Sequence, residues 1–285
     1  MVMSEDTAER QDIRPLEIAL LNLMPEKEKT ERQFARLIGS TPLQVRLTLI
    51  KITKHIPKNT PKEYLSQFYK SFHEIKNKKF DGIIITGAPI EKLAYEDVHY
   101  WEELCDIFEW TSKNAHAVLT VCWGAMAMLY YRFGIKKIPL KDKAFGCFRH
   151  KNFSPQSPYL RGISDDIVIP ISRWTKIRNE DIRHFPELKV LLDSNDMGPC
   201  LIDHRARNTL YMLNHIEYET NSLNEEYQRD LLLSAKTPIP TDYFHENNPT
   251  LKPTNRWRSH AHLLLGNWIN QIYQETPFNI NLIGE

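Results

Sequence analysis

The feature that most constrains this chain is a repeating alternation of short apolar runs with amphipathic segments across its first half. Residues 18–23 (IALLNL), 45–52 (VRLTLIKI), 81–86 (DGIIIT) and 117–121 (AVLTV) are each about the length of a buried strand. Between them, residues 26–37, a stretch ending near residue 72, and residues 97–114 have helical character, and residues 123–133 form a helix closed by Gly134. Strands separated by helices cannot pair as hairpins. They imply crossover connections and a parallel sheet with helices on both faces, so the expected class is α/β, with the site at the carboxyl ends of the strands. Further strands are expected at 166–171, 190–193 and 210–213, helices at 222–235 and 259–273, and an extended tail between them at 237–253. Residues 1–13 are polar and read as a flexible arm, leaving 14–285 as a single catalytic domain.

Charge and cysteine usage narrow the function classes. The 37 basic and 36 acidic residues nearly cancel, which argues against a nucleic-acid partner. No apolar run approaches the roughly 20 residues that span a bilayer, and the N-terminus has no signal-peptide core, so a cytoplasmic protein without membrane contact is expected. Cys105, Cys122, Cys147 and Cys200 form no CxxC pair and have no clustered histidines, so neither a disulfide frame nor a metal site is expected.

The chemistry concentrates at two places. Cys122 stands directly after an apolar strand and directly before a helix, in V-C-W-G-A. A thiol there sits at the positive end of the helix dipole, and the backbone N–H of Trp123 can face a developing oxyanion. Ala88, in the Gly-Ala-Pro turn that ends the third strand, can supply a second N–H. The other place is His215-Ile216-Glu217. On a strand, residues two apart share a face, so Glu217 can orient His215 and stabilise its imidazolium. Together the three residues form a Cys-His-Glu triad for covalent acyl transfer. Lys27, Lys141, Lys143 and Arg229 are candidate cations for phosphate or carboxylate groups.

The blocks RPLEIALLNLMPEKEKTERQFARLIGSTPLQVRLTLI, ITGAPIEKLAYEDVHYW, VCWGAMA, HIEY and NRWRSHAHLLLGNW resemble the homoserine O-succinyltransferase/O-acetyltransferase family, over residues 14–277. The resemblance implies a flavodoxin-like core related to class I glutamine amidotransferases, a homodimer, and ping-pong transfer through a Cys122 thioester, with no bound cofactor and acetyl-CoA as co-substrate. It also implies that Lys27 lies near the acyl site, Lys143 near the acyl-CoA, and Ser172 and Arg229 near the amino-acid acceptor. In that family a Glu at the position of Glu91 accompanies acetyl-CoA and a Gly succinyl-CoA. Physically, Glu91 would fill the acyl pocket and repel a succinyl carboxylate.

The chain departs from the family pattern at Met126, Arg149, Ile171, Trp174, Asn214 and Ile216. Placed around the acceptor pocket, these changes would bring L-serine into contention with L-homoserine, because one methylene is worth only ~1–3 kcal/mol of discrimination. Homoserine O-succinyl transfer and glutaminase-like amide hydrolysis, which uses the same triad, are the other readings.

Overall fold

Within β1 (Leu16–Leu21), alternate side chains enter different cores: Ile18 and Leu20 pack on one side, Ala19 and Leu21 on the other. A strand buried on both faces needs two covering layers. The computed structural model describes residues 14–53, 55 and 60–285. It supplies one layer as α1 (Lys27–Ile38) and α8 (Arg258–Glu275), through Phe34, Leu37, Leu265 and Trp268. The opposite layer is α4 (Trp101–Asn114) and α5 (Trp123–Phe133), through Leu104, Phe108, Ala125 and Leu129.

The sheet has ten strands in the order β3-β2-β1-β4-β5-β10-β9-β8-β6-β7. β3 (Tyr69–Ser71), β2 (Val45–Lys51), β1, β4 (Phe80–Ile85), β5 (Ala115–Val121) and β10 (Thr209–Met212) run parallel. Beyond β10 the sheet turns antiparallel, through β9 (Gly198–His204), β8 (Lys189–Ser194), β6 (Ile138–Asn152) and β7 (Asp166–Lys176). The parallel half matches the expected α/β class. The antiparallel extension does not follow from strand–helix alternation, because hairpin partners need no helix between them.

Three strands escape the sequence reading. β6 is fifteen residues long, but its first half carries Lys141, Asp142 and Lys143 and has no apolar alternation. β9 begins Gly-Pro, a pair that usually marks a turn. β3 is three residues long and splits the helix expected up to residue 72 into α2 (Lys62–Phe68) and α3 (Phe72–Ile75). α6 (Asn179–Arg183) and α7 (Ser222–Leu233) complete the helices among the described residues. The flexible arm expected at 1–13, and part of the loop expected before α2, lie outside the described residues.

Candidate active site

The carboxyl ends of β1, β4, β5 and β10 open into one cleft of about 810 Å³. Cys122 caps α5 with φ 49° and ψ −118°. That left-handed conformation is uncommon for a residue with a side chain and stores local strain, as a sharp strand-to-helix turn requires. The turn closes only because residue 124 is glycine: a Cβ there would lie 2.4 Å from the Thr86 carbonyl oxygen. The Cys122 N–H is anchored to the Met212 carbonyl of β10 (2.7 Å), tying the elbow to the strand that leads to the histidine.

His215 and Glu217 are not on a strand. β10 ends at Met212, and the pair lies in the turn that follows, so shared strand faces are not what joins them. The turn itself brings Nδ1 of His215 to 2.7 Å from Oε1 of Glu217. His215 is further fixed by its N–H, donated to the Pro170 carbonyl of β7 (3.0 Å), and by the ring of Tyr218 stacked on it at 4.3 Å. Burial by itself would lower the imidazole pKa. Cys122 and Glu217 outweigh it by charge and hydrogen bonding, and hold the pKa well above the ordinary value. Cys122 and His215 both line the cleft.

The backbone N–H groups of Trp123 and Ala88 donate to no group among the described residues, although Trp123 is fully buried and Ala88 nearly so. Orphan donors at a helix start are satisfied by a ligand when no protein group serves them. A Cβ at Gly87 would lie 3.1 Å from that of Cys122 and 3.5 Å from the Trp123 nitrogen, so the turn after β4 and the start of α5 are in close contact.

The remaining sequence-predicted residues divide. Glu91, Lys143, Ser172 and Arg229 all line the cleft. Burial raises the Glu91 carboxyl above the usual carboxylate range. Lys143 is held by Asp230 (2.9 Å) and Glu226 (3.5 Å), and Arg229 directs Nε and Nη2 at Asp230 Oδ1 (3.0 and 2.8 Å). Lys27 stands apart: it is buried and does not line the cleft, its ammonium donates to the Asn22 and Met24 carbonyls, and burial pulls its pKa down to about 8. Of the departures from the family pattern, Trp174 lines the cleft and the others do not. Met126 and Ile171 are fully buried in the interior, Ile216 nearly so, and Arg149 is a surface residue paired with Asp166 (2.7 Å).

Glu226 is the functional candidate that sequence reasoning missed. Its carboxylate accepts from Tyr218 Oη (2.6 Å) and from Ser172 Oγ, and faces Lys143. A signal for it was present: Ser222, Glu226, Arg229, Asp230 and Leu233 recur at helical spacing and line the cleft together.

Comparisons with known proteins fit this geometry. A family model described as homoserine O-succinyltransferase matches residues 1–278. The protein named homoserine O-acetyltransferase from Agrobacterium fabrum (strain C58 / ATCC 33970) is 57% identical over 284 residues, covering 100% of this chain and 92% of that protein. Its namesake from Ruegeria sp. (strain TM1040) is 55% identical over 284 residues, covering 100% and 91%. Among solved structures, a glutamine amidotransferase from Thermotoga maritima superposes with a TM-score of 0.63 over 92% of this chain and 99% of its own, at 11% identity. A likeness at that identity is one of fold alone, and it agrees with the expected flavodoxin-like, class I glutamine amidotransferase-like core.

Proposed function

The chain belongs to the homoserine O-succinyltransferase family, and from that membership we propose that it moves the acetyl group of acetyl-CoA to the side-chain hydroxyl of L-homoserine through a thioester on Cys122. The observation that carries the reading is that Cys122 and His215 both line the cleft, with buried Glu217 bonded to the His215 ring behind them, in a chain whose full-length relatives are named homoserine O-acetyltransferase.

The Cys122 thiolate attacks the thioester carbonyl, and the carbonyl oxygen takes up negative charge facing the N–H groups of Trp123 and Ala88. Preorganised donors of this kind stabilise such a transition state more than they stabilise the ground state. As the tetrahedral species collapses, the imidazolium of His215 gives its proton to the departing CoA sulfur. The neutral imidazole then takes the proton of the acceptor hydroxyl, whose oxygen attacks the acyl-enzyme. Collapse of the second tetrahedral species returns the thiolate and the imidazolium. Glu217 holds the ring with Nδ1 towards itself throughout, leaving Nε2 for both transfers.

Glu91 favours the smaller donor. Its carboxyl is already raised by burial, and a succinyl carboxylate beside it would add like charge in a poorly solvated wall that also holds Glu226. The acceptor follows the relatives' name; of the departures from the family pattern Trp174 lines the cleft, and L-serine is the alternative acceptor that it leaves to the test. Arg229 offers the planar fork that suits an α-carboxylate. A homodimer at work in the cytoplasm completes the reading; no helix among the described residues is long and apolar enough to cross a membrane.

The test offers acetyl-CoA or succinyl-CoA together with homoserine or serine, and reads the product by mass spectrometry. O-acetylhomoserine is expected to dominate, and Cys122→Ala protein is expected to form no acyl-enzyme. Preference for succinyl-CoA or for serine would overturn that half of the reading. Release of ammonia from glutamine at a comparable rate would replace it with amide hydrolysis.

A further inference from the structure

Ser172 and Arg173 are neighbours on β7, and strand alternation sends them to opposite sides. Ser172 faces the cleft. Arg173 points inward, and although it is only 1% exposed it meets no carboxylate among the described residues. Its acceptors are the carbonyls of Thr175 (2.7 Å) and Met197 (2.8 Å) and Oδ1 of Asn214 (3.4 Å), all neutral. A guanidinium is not removed from water this completely without a counter-charge nearby.

The groups around it leave few sources for that charge. Cys200 of β9 stays a thiol, because burial pushes it up to about 12. His150 of β6 stays neutral, because burial pulls it down to about 4. Tyr95 and Tyr218, which flank Cys122, are both raised by burial and remain phenols, and burial raises Glu91 across the cleft. Asp193 and Asp166, which act by charge on Cys200 and His150, are bonded to Asn179 (2.9 Å) and Arg149 (2.7 Å) and make no bond to Arg173, which leaves His215, Glu217 and Cys122. An imidazolium, a carboxylate and a thiolate carry a net negative charge together, and one further cation balances them. Geometry brings Arg173 to the elbow: Thr175, whose carbonyl takes Nη1, reaches Met126 Sδ with its hydroxyl (3.5 Å), and the Met126 N–H donates to the Cys122 carbonyl (3.1 Å). The hydrogen bonds point the same way: Asn214 accepts from Arg173, gives Nδ2 to Nε2 of His150 (2.9 Å), and immediately precedes the catalytic histidine.

We propose that Arg173 is a positioning residue of the transfer reaction: its guanidinium is the buried counter-cation of the Cys122 thiolate, and through Asn214 it fixes the turn that carries His215. The proposal rests on Cys122 being the nucleophile. That reading fails separately, if Cys122→Ser protein transfers acyl groups at the wild-type rate.

The experiment follows iodoacetamide alkylation of Cys122 in the full-length protein against pH, by peptide mass mapping, which needs no acyl donor or acceptor. Arg173→Met should raise the alkylation midpoint by at least one pH unit, which is at least a tenfold loss of thiolate below the midpoint. Arg173→Lys, which keeps the charge but loses the fork, should leave the midpoint within half a unit of wild type while kcat falls at least tenfold. An unchanged midpoint in folded Arg173→Met protein would overturn the proposal. Should that variant not fold, His215→Asn leaves Arg173 in place. Without the imidazolium, a midpoint at or below about 9, close to that of a free cysteine, supports a second cation at the site. A midpoint above that, in the direction taken by the buried thiols Cys147 and Cys200, overturns it.

Discussion

Replacing Gly124 by alanine adds a single methyl group, and the structure specifies what that methyl meets. The new Cβ would stand 2.4 Å from the Thr86 carbonyl oxygen and 3.3 Å from that of Ile85. The nearer contact is about 1 Å short of ordinary van der Waals separation. Both neighbours are backbone at the end of β4, so no side chain can swing aside. Either α5 or the turn after β4 must shift, and each carries one of the two N–H groups assigned to the oxyanion. Overpacking of a rigid site costs about 1–3 kcal/mol, and a backbone-on-backbone contact belongs near the upper end, about 3 kcal/mol. A displacement of about 1 Å at the reacting centre corresponds to roughly a hundredfold loss of kcat. Thermal unfolding and steady-state acetyl transfer measure the two effects. Gly266 in α8 serves as control: a Cβ there meets nothing within 4 Å, so Gly266→Ala should stabilise the protein by about 0.5–1 kcal/mol, with unchanged kcat. Gly124→Ala protein with wild-type melting temperature and kcat would refute the close-approach account of the elbow.

Two further perturbations probe the scaffold and the charge at the site. Asp81 is fully buried, receives both terminal nitrogens of Arg14 (2.7 and 2.8 Å), and also accepts from the Glu17 N–H (2.8 Å) and Thr276 Oγ1 (2.6 Å). Asp81→Asn should destabilise the protein by about 3 kcal/mol in urea titration, because it leaves the guanidinium half-buried without its partner. For His215, the folded pKa lies well above the unfolded value of about 6.5, so its contribution to stability is complete below that pH and is lost as pH rises through the folded pKa. Unfolding free energy measured against pH should therefore fall above about 6.5, and Glu217→Gln should flatten that slope; a slope identical to wild type would show that Glu217 does not hold the charge.

How much of this was legible in the sequence depends on the range of the interaction concerned. Local pattern was enough for the parallel half of the sheet, since runs such as residues 81–86 are too apolar to lie anywhere but between two layers, and strand–helix alternation dictates crossovers. The cysteine elbow was legible for the same reason: strand, Cys122, Gly124 and helix are contiguous, and the positive φ follows from the sharpness of that turn. The antiparallel half was not, because β6 and β9 are stabilised by partners distant in the chain and little by their own alternation. His215 and Glu217 were found by spacing but assigned the wrong backbone: a turn delivers them, and only packing of that turn against Pro170 decides it. Tertiary structure alone could show that Lys27 does not line the cleft, that Trp174 does while Met126, Arg149, Ile171 and Ile216 do not, and that Arg173 is a buried cation with only neutral acceptors. Sequence fixes which groups are available and, where neighbours in the chain suffice, their local geometry. Burial and charge balance are sums over residues far apart in the chain, so they exist only once the chain has folded.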